Sequence, residues 1–472
     1  RSYFYPSASL SMLVSEMTKM PHWVSLVKLR TGWAEVGKDT DPYTINPILN
    51  QTFWGNTIQY SVPGSLPNTE LKPEIATSYE VGADLGFFGN RVVFDGTWYR
   101  TQNRNQIIGV TTSPMSGFSS ATINAGNVQN TGVELALNTV PVRTADFEWN
   151  LGLNFTKQES RLVELVDGID RISVGNAGSL KQQTFVGGII GDLYSTSVLR
   201  VEEGEYEGWP ILNNNGGLTF QKDDALKPKV GKSTNDFTMG LNTSVKYKNL
   251  TLSANIDWRQ GGNFYSETMK RTARSGWIDK WQGDAGTYSG VLGSNSFNGD
   301  RTALANEIKS NPEIYQADNV WIGGRDAQTG GFEYNGFNNG SFWPGVIDNG
   351  DGTYTENFGA PGTVLFDAYK VVEPGGGLWD VGSSFMYGLS FIKLRNITFT
   401  YDLPNSFASK ISAQRVSFSI FTKNIMLWNE ADIGIDPELA YYQNNGSYDI
   451  GKEKWNALPW VAPVGFTINL TF

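Results

Sequence analysis

The feature that most constrains this chain is the uneven length of the connections between its strands. Asn90 alone separates one pair of apparent strands and Asn249 alone separates another, whereas a single connection runs from Gly261 to Gly382. Tight turns at one end and long loops at the other are typical of an antiparallel barrel that spans an outer membrane. The connection lengths therefore predict a transmembrane β-barrel with long extracellular loops.

Alternating residue types are the second signal. In the last strand, apolar residues recur at every second position, with Gly, Thr and Asn between them. The apolar set is Val464, Phe466, Ile468, Leu470 and Phe472. Because side chains alternate between the two faces of a strand, one face would be apolar and the other polar. The segment also matches the ~9–11 residues that a tilted strand needs to cross the hydrocarbon layer.

The same pattern predicts an all-β fold of eleven strands. They lie near 3–14, 23–36, 74–88, 91–110, 128–141, 146–160, 237–248, 250–260, 384–402, 415–428 and 458–472. Every long connection then lies at one end of the sheet. A single-chain bacterial barrel has an even number of strands, and open sheet edges are not viable in lipid. We therefore expect residues 1–472 to form the C-terminal half of a barrel, completed by strands that precede Arg1.

One predicted strand breaks the alternation. Phe391, Lys393, Arg395 and Phe399 share parity, so charged and apolar side chains would lie on one face. Two explanations are open. A bulge shifts the register within the strand, or its upper half stands above the membrane.

Composition excludes several functions. The net charge of −10 disfavours nucleic acid as a partner, because phosphate binding needs a basic face. The chain has no cysteine, and His22 is its only histidine, so thiol catalysis and histidine-based sites lack the necessary groups. Catalytic carboxylates need surroundings that shift their pKa values apart, whereas the acidic pairs within 202–207 and at 223–224 lie in polar, Gly-rich sequence typical of a solvated loop. We expect no enzyme.

Tryptophans in the long loop are the candidate ligand contacts. They are Trp277, Trp281, Trp321 and Trp343, interleaved with Asn, Gly and Asp. Aromatic faces beside amides and carboxylates suit sugar rings, and they also suit peptides. The alternative is that most of these rings form the internal core of a folded loop, which a segment of this length needs.

The run from Asp348 to Gly352 is the candidate metal site. Clustered oxygen ligands such as Asp348 and Asp351 on a tight turn suit calcium. The run lacks the spacing and the closing Glu of an EF-hand, and an ordinary β-turn explains it equally well. Calcium is thus the one cofactor that the sequence leaves open.

Several segments together resemble the SusC/RagA group of TonB-dependent outer-membrane transporters. They run in the family's order through nearly the whole chain. They are Pro73 to Gly82, Leu85 to Phe88, Asn124 to Glu134, Phe391 to Thr398 with Tyr401 and Leu403-Pro404, Asn424, Asp436-Pro437-Glu438 and the terminal Phe472.

The resemblance implies a barrel of about 22 strands around an N-terminal plug, with roughly the last 11 strands in this chain. The plug and the motif that contacts TonB are not in this sequence. The family pairs with a SusD-like surface lipoprotein that closes over the barrel as a lid. Phe472 resembles the signal that the barrel-assembly machinery recognises.

The expected function is therefore TonB-driven import of an oligosaccharide across the outer membrane of a Gram-negative cell. Outer-membrane lipid, a SusD-like lipoprotein and the TonB complex would be the partners. Three alternatives remain open. The same transporter type could import peptides, the chain could belong to a secreted soluble all-β enzyme that acts on glycans, or it could form a passive porin.

Overall fold

The computed structural model describes most of the chain. The described residues are 4–472 apart from 41–44, 47–48, 112–113, 275–300, 317–321, 323–332, 335–336, 339–341, 361, 365–376, 442, 445–446, 449–450 and 456–459.

One large antiparallel sheet dominates the fold, and its eleven consecutive strands are called the wall. They are β1 (Ser7–Leu13), β2 (Val24–Lys38), β3 (Glu74–Phe87), β4 (Val92–Thr111), β5 (Ser120–Arg143), β6 (Phe147–Leu165), β7 (Phe237–Tyr247), β8 (Leu250–Gln260), β9 (Phe391–Asp402), β10 (Arg415–Asn429) and β11 (Val464–Thr471). Each pairs with the next in the chain. The short strand Ser65–Leu66 joins β5 in parallel. The eleven predicted strands and their order are confirmed.

The larger differences from the predicted boundaries are in four strands. β6 runs to Leu165 rather than to residue 160. β5 begins at Ser120, so most of the predicted loop 111–127 is strand paired with β4. β9 begins at Phe391, because Met386–Gly388 pairs outside the wall with Asn263–Ser266. β11 begins at Val464.

The tight turn between β3 and β4 is longer than the single residue predicted. Phe88, Gly89 and Asn90 all have positive φ, at 55°, 66° and 62°. A strand cannot continue through this left-handed region, which Gly and Asn tolerate better than other residues. The strands therefore stop at Phe87 and Val92, and residues 88–91 form the turn.

The wall has one apolar face and one polar face. A continuous apolar row crosses nine paired strands from β2 to β10. It consists of Val27, Leu85, Phe94, Leu137, Leu153, Leu241, Ile256, Leu394 and Ile425. The adjacent row on the opposite face consists of Leu26, Gly86, Val93, Asn138, Gly152, Asn242, Asn255, Asn396 and Lys423. The predicted two-faced sheet is confirmed.

The described parts of the long connections 166–236, 261–390 and 430–463 lie at one end of the wall and fold into a cap. Short strands in the cap are Arg171–Ala177, Leu180–Phe185, Asp192–Tyr194, Ile211–Leu212, Lys229–Lys232, Asn263–Ser266, Glu333–Tyr334, Phe337–Asn338, Gly345–Asp348, Tyr354–Asn357, Met386–Gly388, Gln443–Asn444, Ser447–Tyr448 and Lys452–Glu453. A further hairpin, Asn50–Trp54 with Thr57–Ser61, lies between β2 and β3.

Helices are short. The α-helices are α1 (Val14–Met17), α2 (Glu267–Arg274), α3 (Arg301–Ser310), α4 (Pro312–Tyr315) and α5 (Asn405–Ala408), and the 3-10 helices are Pro114–Ser116, Leu378–Asp380, Gly382–Phe385, Ser409–Ile411 and Pro437–Tyr441. Among the described residues, no helix has the length and apolar character to cross a membrane.

The cap holds the main hydrophobic cores of the described chain. One core joins residues from both of the two longest connections and contains Leu180, Leu193, Tyr265, Trp343, Leu378 and Phe385. A second core packs α3 and α4 against Trp209, Phe342 and Phe358. The cap is therefore a packed body, and its connections are held by side chains that are far apart in the sequence.

Candidate binding surface and loop cap

The predicted tryptophan contacts fall into two groups. Trp277, Trp281 and Trp321 lie outside the described residues. Trp343 is described, and only 2% of its surface is exposed. Its ring belongs to the first cap core, and the Asn357 side-chain amide donates to its carbonyl at 3.0 Å. In this structure Trp343 is a core residue, so its burial favours the alternative of an internal loop core, and a contact with ligand stays a prediction.

The Asp-rich turn is closed by its own hydrogen bonds. Asp348 accepts from the Gly350 N–H at 2.8 Å, and Asp351 accepts from the Thr353 N–H and hydroxyl at 3.0 and 2.6 Å. The bonds from Thr353 lower the pKa of the Asp351 carboxyl. No group of three or more acidic or histidine side chains is gathered as metal ligands anywhere in the described chain. The calcium hypothesis for Asp348 and Asp351 stays a prediction.

Ion pairs tie the cap to the wall, and this group of five residues is called the latch. Lys393 on β9 is fully buried, and its Nζ lies 2.6 Å from Asp436 Oδ2 and 2.7 Å from Glu438 Oε2. Arg395 donates to the second Glu438 oxygen, and its Nε lies 2.6 Å from Asp257 Oδ2 on β8. A buried ammonium group needs such partners. The latch holds 436–438 against β8 and β9.

A bulge in β9 makes the latch possible. Asn396 pairs with Asn255 and Leu394 pairs with Ile256, so Arg395 has no partner on β8. The extra residue resets the alternation between Lys393 and Phe399, which confirms the bulge among the two explanations given above. The latch itself was missed in the sequence. Its signal was the pair of charges at Lys393 and Arg395 within an apolar strand, together with the later acidic motif.

The pKa of Glu438 shows how strongly this carboxylate interacts with the two cations of the latch. Burial alone would raise the pKa of this carboxyl, but hydrogen bonds from Arg395 and Lys393 outweigh it and lower the pKa to about 2. Glu438 therefore stays charged at any ordinary pH.

Polar contacts also join the cap connections to one another. Lys270 on α2 donates to Ser179 Oγ at 2.7 Å and lies 3.9 Å from the Trp379 ring centroid. Burial lowers the pKa of Lys270 to about 8. Glu453, which is also buried, accepts from the hydroxyls of Ser266 and Thr268 at 2.7 and 2.5 Å. Three connections are thus bonded together around α2.

The polar face of the wall offers a hydrogen-bonding surface. The Asn255 side chain donates to Asn396 Oδ1 at 3.0 Å, and a groove of about 370 Å³ lies beside Asn138, Asn150 and Asn242. Nearer β2, Arg30 bonds Asp95 through two N–H groups, each at 2.9 Å. Amide groups donate and accept without carrying charge. This arrangement suits binding of hydroxyl or amide groups, and it holds no paired nucleophile and base for catalysis.

Phe472 follows β11 at the short-turn end of the wall, and its side chain is exposed. It continues the parity of Leu470, so the predicted apolar alternation runs to the last residue. Its role as an assembly signal stays a prediction.

Sequence comparison places the chain among known receptors. Residues 1–257 match the family model described as TonB dependent receptor-like, beta-barrel. TonB-dependent receptor P3 of Formosa agariphila is 23% identical over 99% of this chain and 42% of its own length. TonB-dependent receptor SusC of Bacteroides thetaiotaomicron is 26% identical over 53% of this chain and 27% of its own length. The relatives are receptors rather than enzymes, as predicted.

Structural comparison agrees on the fold. The RagAB peptide transporter matches with a TM-score of 0.63 and 16% identity, over 99% of this chain and 43% of the matched chain. The same importer in its open-open state gives a TM-score of 0.61. This chain spans less than half the length of the relatives it matches. It belongs to the TonB-dependent receptor-like β-barrel family.

Proposed function

We propose that this chain forms part of the barrel of an outer-membrane importer that is driven through TonB. The observation that carries the proposal is the two-faced wall. Nine strands place an apolar side chain in one row, while the adjacent row on the other face is rich in Asn and Gly. In a barrel, the first face meets lipid and the second lines the lumen.

The cap is the proposed binding end. In this proposal the segments 161–236 and 261–383 contact a SusD-like lipoprotein lid and form part of the ligand site. Two packed cores and the latch support this role, because a ligand site is more precise when its loops are held in place. Transport would then work by differential binding. The loops and lid hold the ligand in one state, and a change driven from the inner membrane releases it.

Oligosaccharide is the preferred cargo. The amides of Asn242, Asn255 and Asn396 suit the hydroxyl groups of a neutral sugar chain. Peptide is the second candidate, because the same amides suit a peptide backbone and a structure with this fold is that of a peptide transporter.

Uptake in living cells tests the proposal. The full-length protein and its lipoprotein would be produced in a Gram-negative host that lacks them, and entry of labelled oligosaccharide would be followed with and without an uncoupler of the proton gradient. We expect uptake that the uncoupler abolishes. Uptake that is unchanged by the uncoupler would indicate a passive porin. Hydrolysis of glycan by protein purified without detergent would indicate an enzyme.

The chemical class of the cargo is tested with the purified complex of the full-length protein and its lipoprotein. The complex is mixed with glycan and peptide libraries, and the molecules that stay bound are identified by mass spectrometry. We expect retained glycans. Retention of peptides alone would replace the oligosaccharide proposal while leaving the transporter proposal intact.

A further inference from the structure

The apolar face of the wall changes character toward the cap end of β2, β3 and β4. The pairing places Thr31, Val81 and Trp98 in one row. The next row toward the cap contains Trp33, Tyr79 and Arg100. A third row contains Glu35, Thr77 and Gln102. A row that still holds an aliphatic residue thus gives way to a row of two aromatic residues and one arginine, and then to a polar row.

Arg100 stands out because it has no partner. It is exposed, and no residue in the described part of the chain forms a hydrogen bond or ion pair with it. Three other arginines of the wall are paired. Arg30 bonds Asp95, Arg161 bonds Glu159, and Arg415 bonds Asp402. An arginine left free among aromatic rings on an apolar face is available for an external anion.

A groove lies beside this arginine. It has a volume of about 720 Å³, and its lining includes Leu10, Trp33, Tyr79, Val81, Trp98 and Arg100. The groove therefore has aliphatic residues on one side, flat aromatic faces in the middle and a single cationic group toward the cap.

The surrounding charges favour an anion. Arg104 and Lys157 are on the same face, are exposed and have no hydrogen-bond or ion-pair partner among the described residues. Two carboxylates on this face are already engaged, since Glu35 accepts from the Thr77 hydroxyl and Glu159 accepts from Arg161. The patch is thus locally basic in a chain whose net charge is −10.

We propose that this groove binds a phosphate-bearing lipid of the outer leaflet, with the phosphate on Arg100. The acyl chains would lie along the apolar rows, and the headgroup would meet Trp33 and Trp98. Charged side chains on the lipid face are tolerated near the interface, and a guanidinium binds phosphate through two parallel N–H bonds. The proposal rests on the outer-membrane location proposed above.

A lipid-binding measurement on the purified full-length protein tests the proposed lipid site without any transport assay. The protein would be placed in phosphatidylcholine vesicles containing either phosphorylated lipid A or the same lipid with its phosphates removed. Native mass spectrometry would count the bound lipid after extraction. We expect retention of the phosphorylated lipid over the dephosphorylated one, and Arg100→Gln should reduce that retention about tenfold, the effect of one lost charge-assisted bond. Arg100→Lys should keep part of the preference for the phosphorylated lipid.

Lys222→Gln is the matched control, because it removes one positive charge from an exposed cap position with no described partner. It should leave lipid retention unchanged. Equal retention of both lipids, no change in Arg100→Gln, or full competition by inorganic phosphate at the concentration of the lipid would each overturn the proposal. If uptake fails but this selectivity is observed, the lipid site stands and the transport proposal falls.

Discussion

The wall and the cap use the same apolar residue types in opposite ways. On β11, Phe466 and Ile468 are 70% and 59% exposed, whereas Trp343 and Phe358 in the cap are 2% and 1% exposed. The wall is fixed by backbone pairing, and its apolar side chains point away from the protein. The cap is fixed by side-chain packing. Under the proposed function the two regions have different surroundings within one chain, lipid for the wall and water for the cap.

The strongest test of this comparison is removal of a large side chain from the cap. Trp343→Ala should destabilise the cap by about 3–5 kcal/mol, because it leaves a cavity in a packed core. Phe399→Ala on the apolar face of β9 should have a much smaller effect in a lipid environment. Hydrogen exchange of cap and wall peptides measures both.

That experiment also separates the two roles proposed for Trp343. Loss of ligand binding with unchanged hydrogen exchange in the cap would restore it as a ligand contact.

A charge on the wall is the next test. Leu241→Arg should destabilise the protein by about 2–4 kcal/mol in lipid vesicles, because it places a cation in the apolar row. Asn242→Arg is the matched control, since it adds the same group to the opposite face of the same strand. Urea titration of both variants gives the free energies of unfolding. Equal losses would show that the two faces do not meet different surroundings.

The latch predicts how the cap responds to acid. The pKa of Glu438 is about 2 in the folded chain and ordinary when unfolded, so its stabilisation is present above pH ~4.5 and is lost as the pH falls toward 2. Its contribution is at most about 3 kcal/mol. Glu438→Gln should make cleavage within 430–441 rapid already at neutral pH, measured by limited proteolysis.

Asp432→Asn is the control for the latch, because Asp432 is an exposed acidic residue of the same connection. It should leave the cleavage rate and its pH dependence as they are. A wild-type cap that opens between pH 5 and 6 would contradict the role given to Glu438.

The smallest effect is expected at the tight turn of the wall. Asn90 has a φ of 62°, so Asn90→Ala should cost about 1 kcal/mol, whereas Asn90→Gly should be nearly neutral. Urea titration distinguishes them. A large loss with glycine would mean that the Asn90 side chain, rather than its backbone conformation, stabilises the turn.

The wall was predictable from the sequence because its pattern is local. Alternation along β7 and β8 determines which face each residue occupies, and a short turn determines the partner strand. A bulge in β9 was one of two explanations open from the sequence, because Lys393 and Phe399 share parity, and the pairing places it at Arg395.

The cap was not predictable in the same way. Its core brings Leu180, Tyr265 and Phe385 together from distant parts of the chain, and no short-range period marks such contacts. Trp343 illustrates the difficulty. A tryptophan among Asn and Gly has the composition of a sugar-binding loop and equally that of a loop core, and only the tertiary packing distinguishes them.

The distribution of the first cap core along the chain has a consequence for the order of assembly. Closing contacts between Leu180 and Phe385 in a free chain would require a long loop to lose much of its freedom. Once strands β6 to β9 have paired, the ends of the connections 166–236 and 261–390 lie at the same end of the wall. Most of the conformational entropy of closing these loops is therefore lost when the strands pair, before the cap core forms. Burial of Trp343 should therefore follow strand pairing, and its fluorescence would report when the barrel half is complete.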